Sequence, residues 1–250
     1  MVVSCEKKDA KIPDEDETEI SLKSEIQLSF EYTVKPGTEA WYMLETEQER
    51  IDALQVPENV LAMSSPEEIV RLCITFPSFG HFTAWNTPQD GFNVMLDRYN
   101  ILRTLLTRKD TGGSSIAAYK DAGMTGFRTL PCSNEFWTLK LLYLELILSQ
   151  KEILQSMSPE EKLELMTEAR LKFFEKFSNE SFSSLPEELF TLRIMVSILE
   201  VDDYPELMAY PERQTITEFI NTGWLTENGL KIEVIGEMID NYSNSKNFNQ

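Results

Sequence analysis

The sequence predicts a mostly α-helical, all-α protein, either a multi-helix globular bundle or an α-α superhelix, with a short extended segment near its start. Apolar residues recur at steps of three and four along most of the chain, which is typical of amphipathic helices. The helix-start pattern of Ser or Thr, Pro and a nearby acidic residue occurs at Ser65, Thr87 and Ser158. Clear alternation of apolar and polar residues is restricted to Ile26–Val34 and, more briefly, Leu230–Val234. We therefore expect a single helical domain over residues 37–243.

The most apolar helix is predicted from Ser133 to about Gln155. Leu141–Leu148 contains one charged residue, Glu145. The polar positions repeat at steps of seven, four and three, and are Thr138, Glu145, Ser149 and Glu152. Such spacing leaves a narrow polar stripe that we expect to face solvent, so most of the helix surface should be buried. This pattern predicts the central helix of the domain.

Composition bounds the classes of function. The 250 residues include 42 acidic and 23 basic side chains, giving a net charge of −19. A chain of this length can bury a core without disulfides or metals. The negative charge argues against a nucleic-acid partner, because phosphate binding needs a basic surface. No apolar run is long enough to span a bilayer, and no motif indicates a cofactor.

The first residues indicate a lipid anchor. Cys5 follows Val2-Val3-Ser4, which resembles the end of a bacterial lipoprotein signal, and Glu6–Glu19 is a charged segment typical of a solvated tether. Only four residues precede Cys5, so most of such a signal is missing, and a chance cysteine is the alternative. We expect residues 1–19 to be a lipobox remnant and acidic tether, with Cys5 acylated. That prediction places the protein in the cell envelope, anchored to the outer membrane.

Residues 20–36 are expected to be extended. Ile26–Val34 alternates apolar and polar residues, which predicts a β-strand ending at Pro36. A strand needs a partner, and the alternating residues Leu230–Val234 are the candidate.

Three N-caps define the first long helices. Ser65, Thr87 and Ser158 each precede proline, and an acidic residue follows three positions after each cap. The second of these helices is expected to run from Thr87 to about Arg108. Val60–Glu68 also aligns with Ile153–Glu161; a true repeat would favour a superhelix, whereas two independent uses of one cap would not.

The C-terminal half continues the helical pattern. Gly112 and Gly113 should break the chain before a short helix from Ile116 to Ala122. Pro186 begins a helix ending near Glu200, and Gly223 should end a later one in the left-handed conformation. The last apolar stripe consists of Ile235, Met238, Ile239 and Tyr242. Residues 244–250 are expected to be a frayed tail.

No coherent catalytic set is visible, so a non-enzymatic protein is expected. His81 is the single histidine, which excludes a multi-histidine metal site. Cys73 and Cys132 are interpreted as buried structural thiols; a disulfide between them, or a Cys–His pair with His81, are the alternatives.

An aromatic segment, Phe76–Trp85, is the candidate interaction loop. Its proposed contact residues are Phe79, His81, Phe82 and Trp85. Aromatic rings on a loop suit a protein or glycan contact. The alternative is that these rings fill one end of the helical core.

The region from Glu49 to Tyr119 resembles uncharacterised, mostly α-helical lipoproteins of gut Bacteroidetes. The resemblance rests on Ile51–Leu61, Met63-Ser64, Leu72-Cys73, Phe76-Pro77, Gly91-Phe92, Arg98-Tyr99-Asn100 and Arg108-Lys109-Asp110. Ser65-Pro66-Glu67 departs from the simpler Met-Ser-Thr pattern of that group, a change confined to a helix cap. The resemblance implies a helical fold and an envelope location, and no chemistry.

These observations predict a lipid-anchored envelope protein acting as a non-enzymatic interaction or accessory module. Its contacts would be the membrane, through the anchor only, and an unidentified protein or glycan. The alternatives are a hydrolase or peptidase with a site near His81, and a glycan-binding module that uses residues 76–85.

Overall fold

Helices account for most of the described chain, which in this computed structural model comprises residues 30–122, 134–177, 185–225 and 231–247. The first seven α-helices are α1 (Glu39–Tyr42), α2 (Glu47–Ala53), α3 (Glu58–Met63), α4 (Pro66–Ile74), α5 (Pro88–Arg98), α6 (Asn100–Thr107) and α7 (Gly112–Asp121). They are followed by α8 (Asn134–Leu148), α9 (Lys151–Ser156), α10 (Pro159–Phe177), α11 (Leu185–Val201), α12 (Pro205–Met208), α13 (Arg213–Thr222) and α14 (Ile232–Asn247). A 3₁₀ helix, Phe79–Ala84, separates α4 from α5. The all-α prediction is confirmed.

The predicted β-strand does not form in the part of it that the structure describes. Phe30 and the residues after it have no strand assignment, and the segment is held on α4 by side-chain contacts. Arg71 Nη2 donates to the Phe30 carbonyl at 2.8 Å, and the buried Tyr32 hydroxyl lies 3.5 Å from the Leu72 carbonyl. The proposed partner strand is wrong as well, because Ile232 already begins α14. Residues 20–29 lie outside the described residues.

The most connected helix is α11, not the predicted central helix. It packs against α8, α9, α10, α12, α13 and α14. Every residue from Leu189 to Leu199 is buried, including two polar side chains and an arginine. A long helix buried on all sides forms the axis of a globular multi-helix arrangement with one continuous core.

The predicted helix from Ser133 to Gln155 is divided. Helix α8 ends at Leu148, and α9 begins at Lys151 after an extended Gln150 with φ −71° and ψ 135°. The Ser149 hydroxyl and the Gln150 amide both donate to the Leu146 carbonyl, at 2.9 and 2.6 Å. These side-chain donors satisfy a carbonyl at the helix end, so the chain can turn there. The predicted solvent-facing stripe is also wrong, since Glu145 and Ser149 are buried.

The predicted helix from Thr87 to Arg108 is likewise interrupted, at Tyr99, whose φ of −117° and ψ of 122° separate α5 from α6. Gln55 donates to the Arg98 carbonyl at 2.9 Å and accepts from the Asn100 amide N–H at 3.1 Å. The Asn100 side chain pairs with the backbone of Val56 at 3.0 and 2.7 Å. Long-range hydrogen bonds thus replace the helical ones at this break, a compensation that helical periodicity does not predict.

The predicted helix ends are largely confirmed. Ser65, Thr87 and Ser158 all accept a hydrogen bond from the backbone N–H three residues ahead. Only at Ser158 does the acidic residue complete the capping box, with Glu161 accepting from the Ser158 N–H at 2.7 Å. Gly223 ends α13 in the left-handed region, with φ 80°.

Two boundaries differ from expectation. Helix α7 begins at Gly112, four residues before the predicted Ile116, so the glycine pair lies inside the first turn. Helix α14 continues to Asn247, so the part of the predicted frayed tail from 244 to 247 is helical. Residues 248–250 lie outside the described part of the chain. None of the described helices is both long and apolar enough to cross a membrane.

Candidate functional site

The predicted interaction loop is mostly core. Phe79 and Phe82 lie in the 3₁₀ helix and are 3% and 1% exposed, whereas His81 is exposed and Trp85 is half-buried. The 3₁₀ helix approaches α5 so closely that a Cβ on Gly91 would lie 2.2 Å from the Phe82 carbonyl oxygen. The rings therefore fill the core, the alternative raised from the sequence, and they leave His81 and Trp85 as accessible side chains.

Cys73, one of the residues considered for nucleophilic chemistry, is not suited to it. Burial raises the pKa of the Cys73 thiol far above its ordinary value, and its Sγ lies 3.6 Å from the Ile101 carbonyl. A buried thiol that stays protonated is a poor nucleophile. Partial burial and the charge of Arg98 lower the pKa of His81, opposed by Glu47. The prediction of a buried structural thiol is confirmed for Cys73, whereas Cys132 and Cys5 lie outside the described residues.

A fully buried charged network joins four helices. Glu145 of α8 accepts from Lys176 of α10 at 2.6 Å on Oε2, and from Tyr119 of α7 and Thr191 of α11 at 2.9 and 2.7 Å on Oε1. Lys176 also donates to the Thr191 hydroxyl at 2.8 Å. Burial and the Glu145 carboxylate raise the pKa of Tyr119, so its hydroxyl remains a donor. Both carboxylate oxygens are satisfied, so this network holds helices together and offers a ligand nothing.

Helix α11 also lines a cavity of about 460 Å³, from Arg193 to Val201. We call it the Arg193 pocket. It is lined by residues of α5, the α8–α9 junction, α11 and α13, namely Gln89, Asn93, Ser149, Gln150, Lys151, Glu152, Arg193, Ser197, Glu200, Val201, Thr217, Ile220 and Asn221. Its volume lies in the range of small-molecule sites.

Arg193 is the unusual residue of this pocket. It is 3% exposed, and its Nη2 donates to Oε1 of Gln89. Its Nε and Nη1 atoms have no hydrogen-bond partner among the described residues, and no described carboxylate forms an ion pair with it. Burial lowers the pKa of Arg193 to about 10. A buried cation is normally paired, because losing water without a counter-charge is costly.

The Gln89 amide is oriented by its neighbours. Its Nε2 donates to Asn93 Oδ1 at 2.8 Å and to Gln150 Oε1 at 3.0 Å, while Gln150 Nε2 donates back to Gln89 Oε1 at 3.1 Å. Gln89 Oε1 therefore points toward Arg193 and fixes one edge of the guanidinium. The other two nitrogens, Nε and Nη1, are buried and have no partner among the described residues, and Nη1 lies near Gly223.

The other charges at the pocket are already matched or exposed. Glu200 pairs with Arg213 of α13. Arg213 also donates to the Thr217 hydroxyl at 3.2 Å. Lys151 and Glu152 are exposed at the rim, where their charges are opposite. The buried part of the pocket therefore has one uncompensated positive charge.

Helical spacing brings the remaining polar groups together. Helix α11 presents Arg193 and Ser197, α5 presents Gln89 and Asn93, and α13 presents Thr217 and Asn221. Each pair is four residues apart, so its members lie on one helix face. The Ser197 hydroxyl is buried and, like Arg193 Nε and Nη1, has no partner among the described residues.

This arrangement can bind an anion. An arginine with unused donors in a recessed, partly water-excluding pocket is the group that proteins use for carboxylates and phosphates. Sequence reasoning missed it. The available signal was one arginine within the apolar run Leu189–Leu199. Most other lining residues of the pocket come from distant segments of the chain, which have no sequence signature for such a site.

Groups of three or more His, Cys, Asp or Glu side chains that could hold a metal are absent from the part of the chain that the structure describes. The chain matches no family model, no curated protein and no solved structure.

Proposed function

We propose that this protein is a non-enzymatic binding module that captures a small anionic ligand in the Arg193 pocket. The observation that carries the proposal is the buried guanidinium of Arg193, whose Nε and Nη1 have no partner among the described residues. An anion seated there would supply the counter-charge and acceptors that the described residues do not provide.

The location belongs to the same proposal. Cys5, followed by an acidic tether, supports a lipid-anchored envelope protein, as does the resemblance to helical lipoproteins of gut Bacteroidetes. The pocket would then face the periplasm or the cell exterior and accept ligands there. Palmitate labelling and membrane fractionation of the natively started protein, beside Cys5→Ala, test this part: no label on either protein would refute it.

Binding is tested with simple anions. Sodium acetate and sodium sulfate are titrated against sodium chloride at matched ionic strength, and the melting temperature is followed. A ligand that binds only the folded state stabilises that state by mass action. We expect acetate to raise the melting temperature of the wild type and to leave Arg193→Gln unchanged.

Arg103→Gln is the matched control. Arg103 is an exposed arginine outside the pocket whose guanidinium contacts the carbonyls of Leu96 and Asp97. The Arg103→Gln substitution removes the same charge from the chain but leaves the pocket intact. This variant should therefore respond to acetate as the wild type does. Equal responses of Arg193→Gln and the wild type, or no response of either to any anion, would refute the proposal.

A further inference from the structure

The Arg193 pocket has features that narrow its ligand beyond an anion in general, and this inference rests on the proposed function. We infer that the ligand is a sugar acid, a molecule with one carboxylate and several hydroxyl groups. Three properties of the pocket lead to this ligand class: its charge, the chemistry of its neutral groups, and the kinds of group that are missing from its described lining.

The charge favours a single negative charge on the ligand. Arg193 is one buried, uncompensated cation, while Arg213 is already paired with Glu200. The chain as a whole carries a net charge of −19, which repels anions at long range. A dianion such as sulfate would bring a second charge that has no buried partner, and would meet Glu200 and Glu152 at the pocket wall. A monocarboxylate matches one guanidinium.

The neutral lining favours hydroxyl groups. Asn93 and Asn221 supply amides, and Ser197 and Thr217 supply hydroxyls, so the pocket wall both donates and accepts hydrogen bonds. A ligand hydroxyl is also both donor and acceptor. Ser197 is the clearest case, because its buried hydroxyl has no partner among the described residues and lies one helical turn from Arg193. The aliphatic side chains of Val201 and Ile220 can contact the C–H groups of a sugar.

Other carboxylate classes fit less well. An amino acid would need a recessed carboxylate for its ammonium group, but Glu200 is held by Arg213 and Glu152 is exposed at the rim. An aromatic acid or a nucleotide would need a ring to stack on, and no aromatic side chain occurs among the described lining residues. A fatty acid would need an apolar tunnel, whereas 11 of the 13 described lining residues carry polar or charged side chains.

The test compares four probes by calorimetry at pH 7 and matched ionic strength. D-glucuronate carries both features, acetate only the charge, D-glucose only the hydroxyls, and sulfate two charges. We expect glucuronate to bind at least 10-fold more tightly than acetate, because each added neutral hydrogen bond contributes roughly 2- to 10-fold. Glucose and sulfate should bind more weakly than glucuronate by a similar or larger factor.

Ser197→Ala separates the hydroxyl contacts from the charge. Because the Ser197 hydroxyl has no partner among the described residues, its removal should leave the melting temperature unchanged. Glucuronate affinity should fall about 2- to 10-fold, with acetate affinity unaltered. The matched control is Ser115→Ala, which removes another buried hydroxyl without a described partner from α7, outside the pocket; its glucuronate affinity should equal that of the wild type.

Each result has a distinct meaning. Equal affinities for acetate and glucuronate, both lost in Arg193→Gln, would refute the sugar acid and leave the anion-binding function standing. Tighter binding of sulfate than of glucuronate would refute the monocarboxylate preference in the same way. Failure of every probe to bind the wild type would remove the proposed function and the inference together.

Discussion

Nζ of Lys176 lies 2.6 Å from Oε2 of Glu145, and both side chains are fully buried. The pair joins α8 to α10, and Thr191 and Tyr119 complete it with hydrogen bonds to the same carboxylate. On α11, Thr191 belongs to this satisfied network, whereas Arg193 and Ser197 line the pocket and have buried polar atoms without a described partner. One helix therefore contributes to a closed structural cluster and to the lining of the candidate anion site.

Loss of one partner of the buried pair should destabilise the protein strongly. Lys176→Met leaves the Glu145 carboxylate buried without a counter-charge, and we expect a loss of about 3–5 kcal/mol in the free energy of unfolding. Adding Glu145→Gln to Lys176→Met should restore a large part of the lost stability, because the uncharged amide can still accept hydrogen bonds from Tyr119 and Thr191. Urea denaturation measures both. Lys120→Met, at the exposed Lys120–Glu164 pair, is the control and should change stability little.

Removal of the pocket arginine should stabilise the ligand-free protein. Arg193→Met replaces a buried, uncompensated cation with an apolar side chain, and Gln89 Oε1 keeps its hydrogen bond from Gln150. We expect a gain of about 1–3 kcal/mol in the free energy of unfolding, together with loss of anion binding. Thermal unfolding and acetate titration measure the two effects. A clear destabilisation would instead identify Arg193 as a structural residue.

Anion binding should weaken at high pH. The pKa of Arg193 is lowered to about 10 by burial, and only the protonated guanidinium attracts an anion. Acetate affinity should therefore be level from about pH 7 to 9 and fall as the pH rises through about 10. Calorimetry at several pH values measures this, with the folded state verified by circular dichroism at each pH. An affinity that stays level up to pH 11 would contradict the burial of an uncompensated charge.

His81 should contribute to acid sensitivity. Its pKa in the folded protein is lowered by partial burial and by Arg98, so the unfolded chain takes up the proton more readily. The unfolded state therefore gains relative to the folded one as the pH falls below the ordinary histidine pKa of about 6.5. His81→Gln should lose less stability than the wild type between pH 7.5 and 5.5, measured by urea denaturation. Parallel losses in both proteins would show that carboxylates alone cause the acid effect.

Two glycines inside helices should respond oppositely to alanine. Gly91→Ala places a Cβ 2.2 Å from the Phe82 carbonyl oxygen, and the backbone must move to remove this steric clash. We expect a loss of about 3 kcal/mol in the free energy of unfolding. Gly236→Ala in α14 meets no atom within 4 Å and should gain up to about 1 kcal/mol from helix propensity. Similar effects at both positions would show that the 3₁₀ helix and α5 are not in such close contact at Gly91.

The sequence alone was sufficient for the features that depend on neighbouring residues. Ser65, Thr87 and Ser158 act as N-caps as predicted, and Gly223 ends α13 in the left-handed conformation. These are interactions over three or four positions, so local chemistry determines them. The all-α class follows from the same periodicity.

The tertiary structure decided which polar residues are buried and why. From the sequence, Glu145 looks like part of a solvent-facing stripe. In the structure its carboxylate is buried, and Lys176, Tyr119 and Thr191 of three other helices stabilise it with an ion pair and hydrogen bonds. The breaks at Tyr99 and Gln150 likewise depend on hydrogen bonds that distant or adjacent side chains supply. Arg193 is an ordinary arginine in the sequence and becomes a candidate anion site only because the packing of α5, α11 and α13 buries it without a described carboxylate partner. Periodicity determines which segments are helical, whereas the pairing of buried charges depends on which helices meet, because electrostatic compensation acts through space and not along the chain.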